Sequence, residues 1–213
     1  MKPDIEEFRN ALIKRQTGEV MEKLFAAEVA VCGLGGLGSG IAIALARAGI
    51  GTLHLIDFDR VDLTNLNRQQ YSYDEIGMDK PSALEKEIRR FAPYCCIRKD
   101  FVKLTEENAA EILKNDRNIC EAFDRPEEKA MLTNTVLEHL PGISLVGASG
   151  MAGYGSSNTI KTKRIMKNYY LCGDGVSEAS EGNGLIAPRV MICGAHQANM
   201  VIRLILGKEE TDE

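Results

Sequence analysis

A glycine-rich turn, Gly33-Leu34-Gly35-Gly36-Leu37-Gly38, is the feature that most constrains the fold of this chain. It follows the apolar run 28–32 and precedes an Ala- and Ile-rich stretch, the strand–turn–helix context in which G-x-G-x-x-G binds a nucleotide. Gly33 permits the tight turn, and Gly38 lets helix and strand pack closely. Gly35 is predicted to let backbone amides approach a phosphate, and its neighbour Gly36 belongs to the same predicted binding set. The helix N-terminus adds a field that favours anions.

The alternation of apolar runs and helical segments continues along the chain. Strands are predicted at 28–32, 52–57, 95–102, 118–123 and 143–146, and helices at 4–16, 38–48, 81–91, 106–114, 126–139 and 188–207. A Gly/Ser/Ala-rich stretch, 147–157, then crosses the top of the sheet, further strands are predicted within 161–172, and 173–187 is a loop. This pattern predicts an α/β fold, a doubly wound, mostly parallel, Rossmann-like sheet with a C-terminal crossover segment and final helix.

We expect one domain in three parts. These are an N-terminal helical arm (1–26), a nucleotide-binding βαβ part (27–147), and a part with the crossover loop and final helix (148–213). At 213 residues the chain is long enough to bury a full core.

Polar residues beyond the second strand indicate which nucleotide binds. Asp57 ends that strand, where it would accept hydrogen bonds from ribose hydroxyls, which NAD and ATP share. Arg68 can hold two phosphate oxygens and Lys80 can add a point charge, which suits a phosphate chain better than hydride transfer. Asp124 is predicted to end the strand 118–123 at the same edge, where a carboxylate could hold Mg²⁺. The predicted nucleotide-binding set also includes Asp59, Asn65 and Asn67.

Taken in order, these motifs resemble one known family. The glycine turn, Asp57-Phe58-Asp59, Asn65-Leu66-Asn67-Arg68-Gln69, Lys80 and Asp124 are together similar to the ThiF/MoeB/HesA group, the bacterial relatives of ubiquitin-activating enzymes. The similarity extends from Arg15-Gln16 to the segment 184–188 and the last helix. The short length and the LCGDG…APR…AHQAN ending resemble the compact branch associated with thiamine biosynthesis.

The resemblance implies an ATP-dependent adenylyltransferase that activates the C-terminal carboxylate of a ubiquitin-like sulfur-carrier protein with a Gly-Gly tail. It implies Asp57 at the ribose, Arg68 and Lys80 on the triphosphate, and Asp124 on Mg²⁺. Asn65 is implied as a polar partner nearby. Arg15 matches an arginine that reaches into the neighbouring subunit's site, which implies a homodimer and adds Arg15 to the predicted catalytic set of Arg68, Lys80 and Asp124.

Cysteine usage departs from that family. The zinc-binding C-x-x-C pairs of longer members are missing, so no zinc is expected. The cysteine that such members carry before the Gly-Leu-Ile-Ala-Pro segment is also missing, and Cys172 is left as a possible substitute for a covalent step. His196 is predicted to be a core or interface residue, and neither His54 nor His139 has a catalytic partner in the sequence.

Charge and hydropathy limit the partners. The formal net charge of −5 argues against non-specific nucleic-acid binding, which needs a basic face. The sequence contains no run of about 18 apolar residues, so no membrane span is expected. The charged N-terminus lacks the apolar core of a secretory signal. We therefore expect a cytoplasmic protein that binds neither nucleic acid nor membrane.

Two alternatives stay open at this point. A family member could activate the molybdopterin carrier or modify a tRNA base instead. A protein of another class, a NAD-binding Rossmann oxidoreductase or regulator, would also use the glycine turn and Asp57.

Overall fold

The computed structural model describes residues 3–211 as a three-layer α/β structure. The helices are α1 (Ile5–Gln16), α2 (Gly18–Phe25), α3 (Gly36–Ala48), α4 (Lys80–Arg89), α5 (Ala109–Leu113), α6 (Pro126–His139) and α7 (Ala187–Ile205). The strands are β1 (Glu28–Cys32), β2 (Thr52–Asp57), β3 (Cys96–Phe101), β4 (Asn118–Glu121), β5 (Ser144–Ala148), β6 (Lys161–Met166) and β7 (Tyr169–Gly173). No helix within residues 3–211 combines the length and apolar character that a membrane crossing requires.

The seven strands form one sheet in the order β3-β2-β1-β4-β5-β7-β6. All neighbours are parallel except β6, which pairs antiparallel with β7 at the sheet edge. Strands β2 and β3 are added on one side of β1, and β4 and β5 on the other. The order of strands therefore reverses between β1 and β4, which is the point where doubly wound sheets bind ligands beyond their carboxyl ends. The predicted fold class is therefore confirmed, and the crevice beyond β1 is the first place to examine for a site.

Helices cover both faces of the sheet. On one face, α3, α4 and α7 contribute Ile41, Leu84 and Val201 to the larger buried cluster. On the other, α5 and α6 contribute Leu113 and Leu132 to a second cluster. Because the strands β1, β2 and β4 are buried on both sides, their sequences are apolar runs rather than alternating ones.

Three element boundaries differ from the predictions for identifiable reasons. The N-terminal arm is two helices, since Thr17 has a φ of 74° and separates α1 from α2. The helix expected at 106–114 begins only at Ala109, because the Asn108 side chain accepts from the Thr105 amide (2.8 Å) and forms a turn instead. The strand expected at 118–123 ends at Glu121.

A buried charge network lies on the α5–α6 face of the sheet. His54 of β2 is fully buried, and its Nδ1 and Nε2 atoms lie 2.8 Å from Asp116 and 2.7 Å from Asp100. Burial favours the neutral imidazole, but the hydrogen bonds to Asp116 and Asp100 outweigh it, so the pKa of His54 is raised. Arg98 of β3 pairs with Glu28 and lies 3.5 Å from the second oxygen of Asp116.

Candidate nucleotide site beyond the glycine turn

Two positions of the glycine turn after β1, Gly33 and Gly38, have no room for a side chain. Gly33 has a φ of 87°, and a Cβ there would lie 2.9 Å from the carbonyl oxygen of Ala122. A Cβ on Gly38 would lie 1.8 Å from the carbonyl oxygen of Gly33. The turn is therefore in contact with its own helix and with the segment after β4, which supports the two structural roles expected of these glycines.

Asp57 connects the end of β2 to this turn. Its Oδ2 accepts from the amide of Leu34 (2.6 Å), and its Oδ1 accepts from the amide of Asp59 (2.8 Å). Burial raises the pKa of the carboxyl, while Lys80 and the two amides act in the opposite direction. Asp57 thus fixes the shape of the turn itself, a role the sequence did not indicate; its predicted contact with a ribose stays a prediction.

Lys80 lies beside Asp57 as the first residue of α4. Its Nζ is 2.9 Å from Asp59 Oδ2 and 3.7 Å from Asp57 Oδ2, and only 5% of the residue is exposed. Its position is fixed locally, because its amide donates to the carbonyl of Asp59 and Asp79 caps the helix. Asp59 therefore acts as the ion-pair partner of Lys80.

Arg68 lies against Gly36, at the start of α3. Its Cγ is 3.4 Å from the position of a Cβ on Gly36, so its stem covers the start of α3. Its guanidinium donates to the Asn67 side chain (2.8 Å) and the Thr64 carbonyl (3.3 Å), while its buried Nε has no partner among residues 3–211. Asn65 shapes this loop, because its Oδ1 accepts from the amide of Asp62 (3.0 Å).

Gln69 is a candidate binding residue for which no role was predicted. It is 7% exposed, and its Nε2 lies 3.8 Å from the position of a Cβ on Gly35. Its Oε1 is buried and has no hydrogen-bond partner in the part of the chain that is described. Its place directly after Arg68 in the Asn-Leu-Asn-Arg-Gln motif was the available signal.

Contrary to the prediction, Asp124 does not directly follow a strand. β4 ends at Glu121, because the amide of Phe123 turns to the Glu121 side chain (2.8 Å) instead of a neighbouring strand. Asp124 is exposed in the turn before α6, and the N-cap of that helix is Arg125, without a side-chain cap bond. Ala122 and Phe123 pack on Gly33, and Asp124 is the next residue along the chain.

The residues present fit Mg²⁺ bound together with a substrate. No group of three His, Cys, Asp or Glu side chains suited to a metal forms between residues 3 and 211. Mg²⁺ commonly needs only one or two carboxylates when phosphates complete its coordination. Asp124, an exposed carboxylate that follows the residues packed on Gly33, has that chemistry.

An ion pair that was not predicted lies at the end of β4. Glu121 is 1% exposed, and Lys129 of α6 donates to its two oxygens at 3.0 and 3.3 Å and to the carbonyl of Ala148 at 3.0 Å. Gln197 of α7 also donates to the carbonyls of Glu121 and Val146, at 2.9 and 3.0 Å. These contacts could be predicted only if the end of β4 at Glu121 were already known.

The crossover segment is fixed by a second buried ion pair. Arg189 of α7 donates to Asp174 (2.5 Å) and to the carbonyls of Gly155 and Ser156, at 2.9 and 2.7 Å. Asp174 also accepts from the amide of Ser177 (2.8 Å), and its pKa is about 2, because these bonds outweigh the effect of burial. The crossover and the loop before α7 thus share one anchor.

Three other residues singled out in the sequence have different surroundings. Arg15 is exposed on α1, whose Phe8 contacts Tyr94 just before β3, at the opposite edge of the sheet. Its role in a neighbouring subunit stays a prediction. Cys172 is fully buried and burial raises its pKa to about 11, so it does not supply the accessible thiolate that a covalent step needs. His196 is half-buried and contacts Thr162 (3.1 Å).

Comparison with known proteins places the chain in a family. A family model described as the ThiF family matches residues 8–213. The chain is 29% identical over 225 residues to the adenylyltransferase and sulfurtransferase MOCS3 of Dictyostelium discoideum (99% of this chain, 51% of that protein). It is 37% identical over 142 residues to the tRNA threonylcarbamoyladenosine dehydratase of Escherichia coli (64% of this chain, 52% of that protein). The chain spans about half the length of these curated relatives.

Solved structures give the same fold. The E. coli tRNA N6-threonylcarbamoyladenosine dehydratase in complex with ATP has a TM-score of 0.87 and 22% identity, and 98% of each chain is covered. E. coli MccB with MccA-N7isoASN has a TM-score of 0.66 and 22% identity, covering 90% of this chain and 60% of that one.

Proposed function

This chain belongs to the ThiF family, and on that premise we propose that it is an ATP-dependent adenylyltransferase that activates a carboxylate. The observation that carries the proposal is the meeting of two basic side chains at one turn. Arg68 covers Gly36, and Lys80 lies beside the aspartate that binds Leu34. The ATP complex of a structurally similar protein supports ATP as the nucleotide.

The reaction would join the substrate carboxylate to the α-phosphorus of ATP. An oxygen of the carboxylate attacks the α-phosphorus, the bond to the bridging oxygen breaks, and pyrophosphate leaves. A carboxylate is already ionised at neutral pH, so no general base is required; the protein must align the groups and neutralise charge. Arg68 and Lys80 would hold phosphate oxygens, and Asp57 would hold the ribose. Asp124 would hold Mg²⁺, which when bound neutralises phosphate charge.

Apolar side chains around a small cleft beside Asp57 would provide a surface for the base, while the cleft itself, with a volume of about 20 Å³, is too small for a purine to enter. It is lined by Phe58 at the end of β2, Val102 and Leu104 after β3, and Phe123 after β4. A purine ring has two flat apolar faces, and side chains of this kind can pack against them. Asp57 and this cleft adjoin, which agrees with a nucleoside bound beyond β2.

We infer that the substrate is the C-terminal carboxylate of a ubiquitin-like sulfur-carrier protein of the type used in thiamine biosynthesis. The crossover segment 149–157 and the loop 174–186 would form the groove for its tail, because glycines let an extended peptide approach backbone closely. The sulfur carrier protein adenylyltransferase of Thermus thermophilus, 34% identical over 125 residues, supports this substrate class. It matches 58% of this chain and 46% of that protein.

A second candidate substrate is a modified tRNA base. It is favoured by the dehydratase fold similarity, which covers 98% of both chains. The net charge of −5 is against it, because tRNA binding needs a basic surface.

Mass spectrometry tests both substrates. The protein is mixed with ATP, MgCl₂ and either a Gly-Gly-tailed sulfur-carrier protein or bulk tRNA. We expect an added AMP on the carrier and no change in tRNA nucleosides; a changed tRNA nucleoside without carrier adenylation would favour the second candidate.

A variant tests the proposed site. Arg68→Ala should abolish carrier-dependent exchange of pyrophosphate into ATP, whereas Arg90→Ala, at the exposed residue that ends α4 as its C-cap, should exchange like the wild type. An active Arg68→Ala protein would remove this residue from the mechanism.

A further inference from the structure

We propose that Lys129 and Glu121 are positioning residues that set the geometry of the Mg²⁺-binding carboxylate. Their ion pair fixes the turn that ends in Asp124 to the end of β5. This inference rests on the proposed function, since it concerns the approach of Asp124 to ATP-bound Mg²⁺.

The Glu121 side chain shapes the turn that follows β4. Glu121 Oε1 accepts from the amide of Phe123 (2.8 Å), so the carboxylate folds back over its own chain. The turn residues Ala122 and Phe123 then contact Gly33. Asp124 follows directly, and its backbone therefore depends on where the Glu121 side chain lies.

Lys129 holds the Glu121 carboxylate in place. A carboxylate that is 1% exposed needs a compensating charge, and Lys129 supplies it with contacts to both oxygens. The same ammonium donates to the carbonyl of Ala148, the last residue of β5. Lys129 therefore fixes both the turn that precedes α6 and the end of β5.

The ends of β4 and β5 leave space for this ion pair. Glu121 Oε2 lies 3.1 Å from the position of a Cβ on Gly147, so the β5 end leaves room for this carboxylate. Gln197 donates to the carbonyls of Glu121 and Val146, where β4 and β5 stop pairing with each other. The end of β4 is thus held from α6 and from α7, although neither Lys129 nor Gln197 is predicted to touch ATP.

Breaking the ion pair should weaken ATP binding only when Mg²⁺ is present. Partners that orient a metal ligand typically contribute about 10–100-fold to metal affinity. In Lys129→Met, ATP affinity measured in excess EDTA should match the wild type. The gain in ATP affinity that the wild type shows in excess MgCl₂ should fall by about tenfold or more.

Calorimetric titration of ATP in EDTA and in MgCl₂ measures this ratio. Because Lys129→Met leaves Glu121 buried without a partner, the double variant Glu121→Gln/Lys129→Met is measured beside it and should also lose the gain. Lys129→Arg should restore most of it, and Lys23→Met, which breaks an exposed pair on α2, should behave as wild type.

The outcomes separate the two proposals. A wild-type protein that binds no ATP refutes the proposed function and this inference together. A wild type that gains affinity with Mg²⁺, with an equal gain in the double variant, refutes only the positioning role. Equal losses in EDTA and in MgCl₂ would also refute it, because they indicate a structural effect that Asp124 does not mediate.

Discussion

Replacing His54 with glutamine should remove a buried cation and destabilise the fold in a pH-dependent way. Both nitrogens of His54 face carboxylates, of which Asp116 is fully buried and Asp100 is 47% exposed at its side chain. Glutamine has a similar size but no charge, so Asp116 loses its nearest charged partner. Breaking a buried pair in this way typically costs about 3–5 kcal/mol.

Two features of the structure place the expected cost at the lower end of that range. Arg98 remains 3.5 Å from the second oxygen of Asp116 and offsets part of the loss. The contact with Asp100 adds little, because exposed pairs contribute about 0–1 kcal/mol. We expect a decrease in the free energy of unfolding of about 3 kcal/mol at pH 6.

The sign of the pH dependence follows from the raised pKa of His54. A folded-state pKa above the unfolded value of about 6.5 means that the stabilisation is complete below the unfolded value. It is lost as the pH rises through the folded-state pKa. The difference between wild type and His54→Gln should therefore be largest near pH 6 and should shrink toward alkaline pH.

Urea unfolding followed by circular dichroism at fixed protein concentration measures this difference. His139→Gln is the matched control, because His139 is exposed at the end of α6 and its replacement should change stability by less than about 0.5 kcal/mol. A His54→Gln penalty that stays constant or grows with pH would refute the assignment of a buried imidazolium.

Three further predictions concern the site and its surroundings. Gly38→Ala should abolish ATP binding and lower the melting temperature, because its Cβ would meet the Gly33 carbonyl at 1.8 Å; wild-type binding in a titration would contradict this. A thiol reagent should label the native protein at the exposed Cys96 alone at neutral pH, since burial raises the pKa of Cys172 to about 11, and rapid labelling that persists in Cys96→Ser would oppose it. Arg189→Met should make the segment 149–157 the first site of limited proteolysis, and an unchanged cleavage pattern would argue against its anchoring role.

The elements with strong local signals were predictable from the sequence. The glycine turn, the apolar strands and the helices after them each carry their own pattern, and the structure confirms the fold class that they indicate. The missed second helix α2 shows a limit of local patterns. Gly18 resembles the end of a helix, yet here it begins one after Thr17 changes direction.

The parts that the sequence did not predict depend on non-local contacts. Asp116 and Asp100 approach His54 from 62 and 46 residues away, and no spacing in the sequence indicates that they meet. Similarly, the pairing of Glu121 with Lys129 requires that β4 stop two residues earlier than its apolar character suggests. Side chains that border the glycine turn were found because the ends of parallel strands converge, which topology alone establishes.

The contact between Leu34 and Asp57 has an energetic consequence for any ligand. The Leu34 amide already donates to Asp57 within the protein itself, so a ligand that binds at the turn does not need to order a mobile loop. Ordering one residue costs about 1–2 kcal/mol of backbone entropy, and here folding has already met that cost. Association at this turn should consequently involve little loop closure, leaving most of the favourable contact energy for holding the ligand.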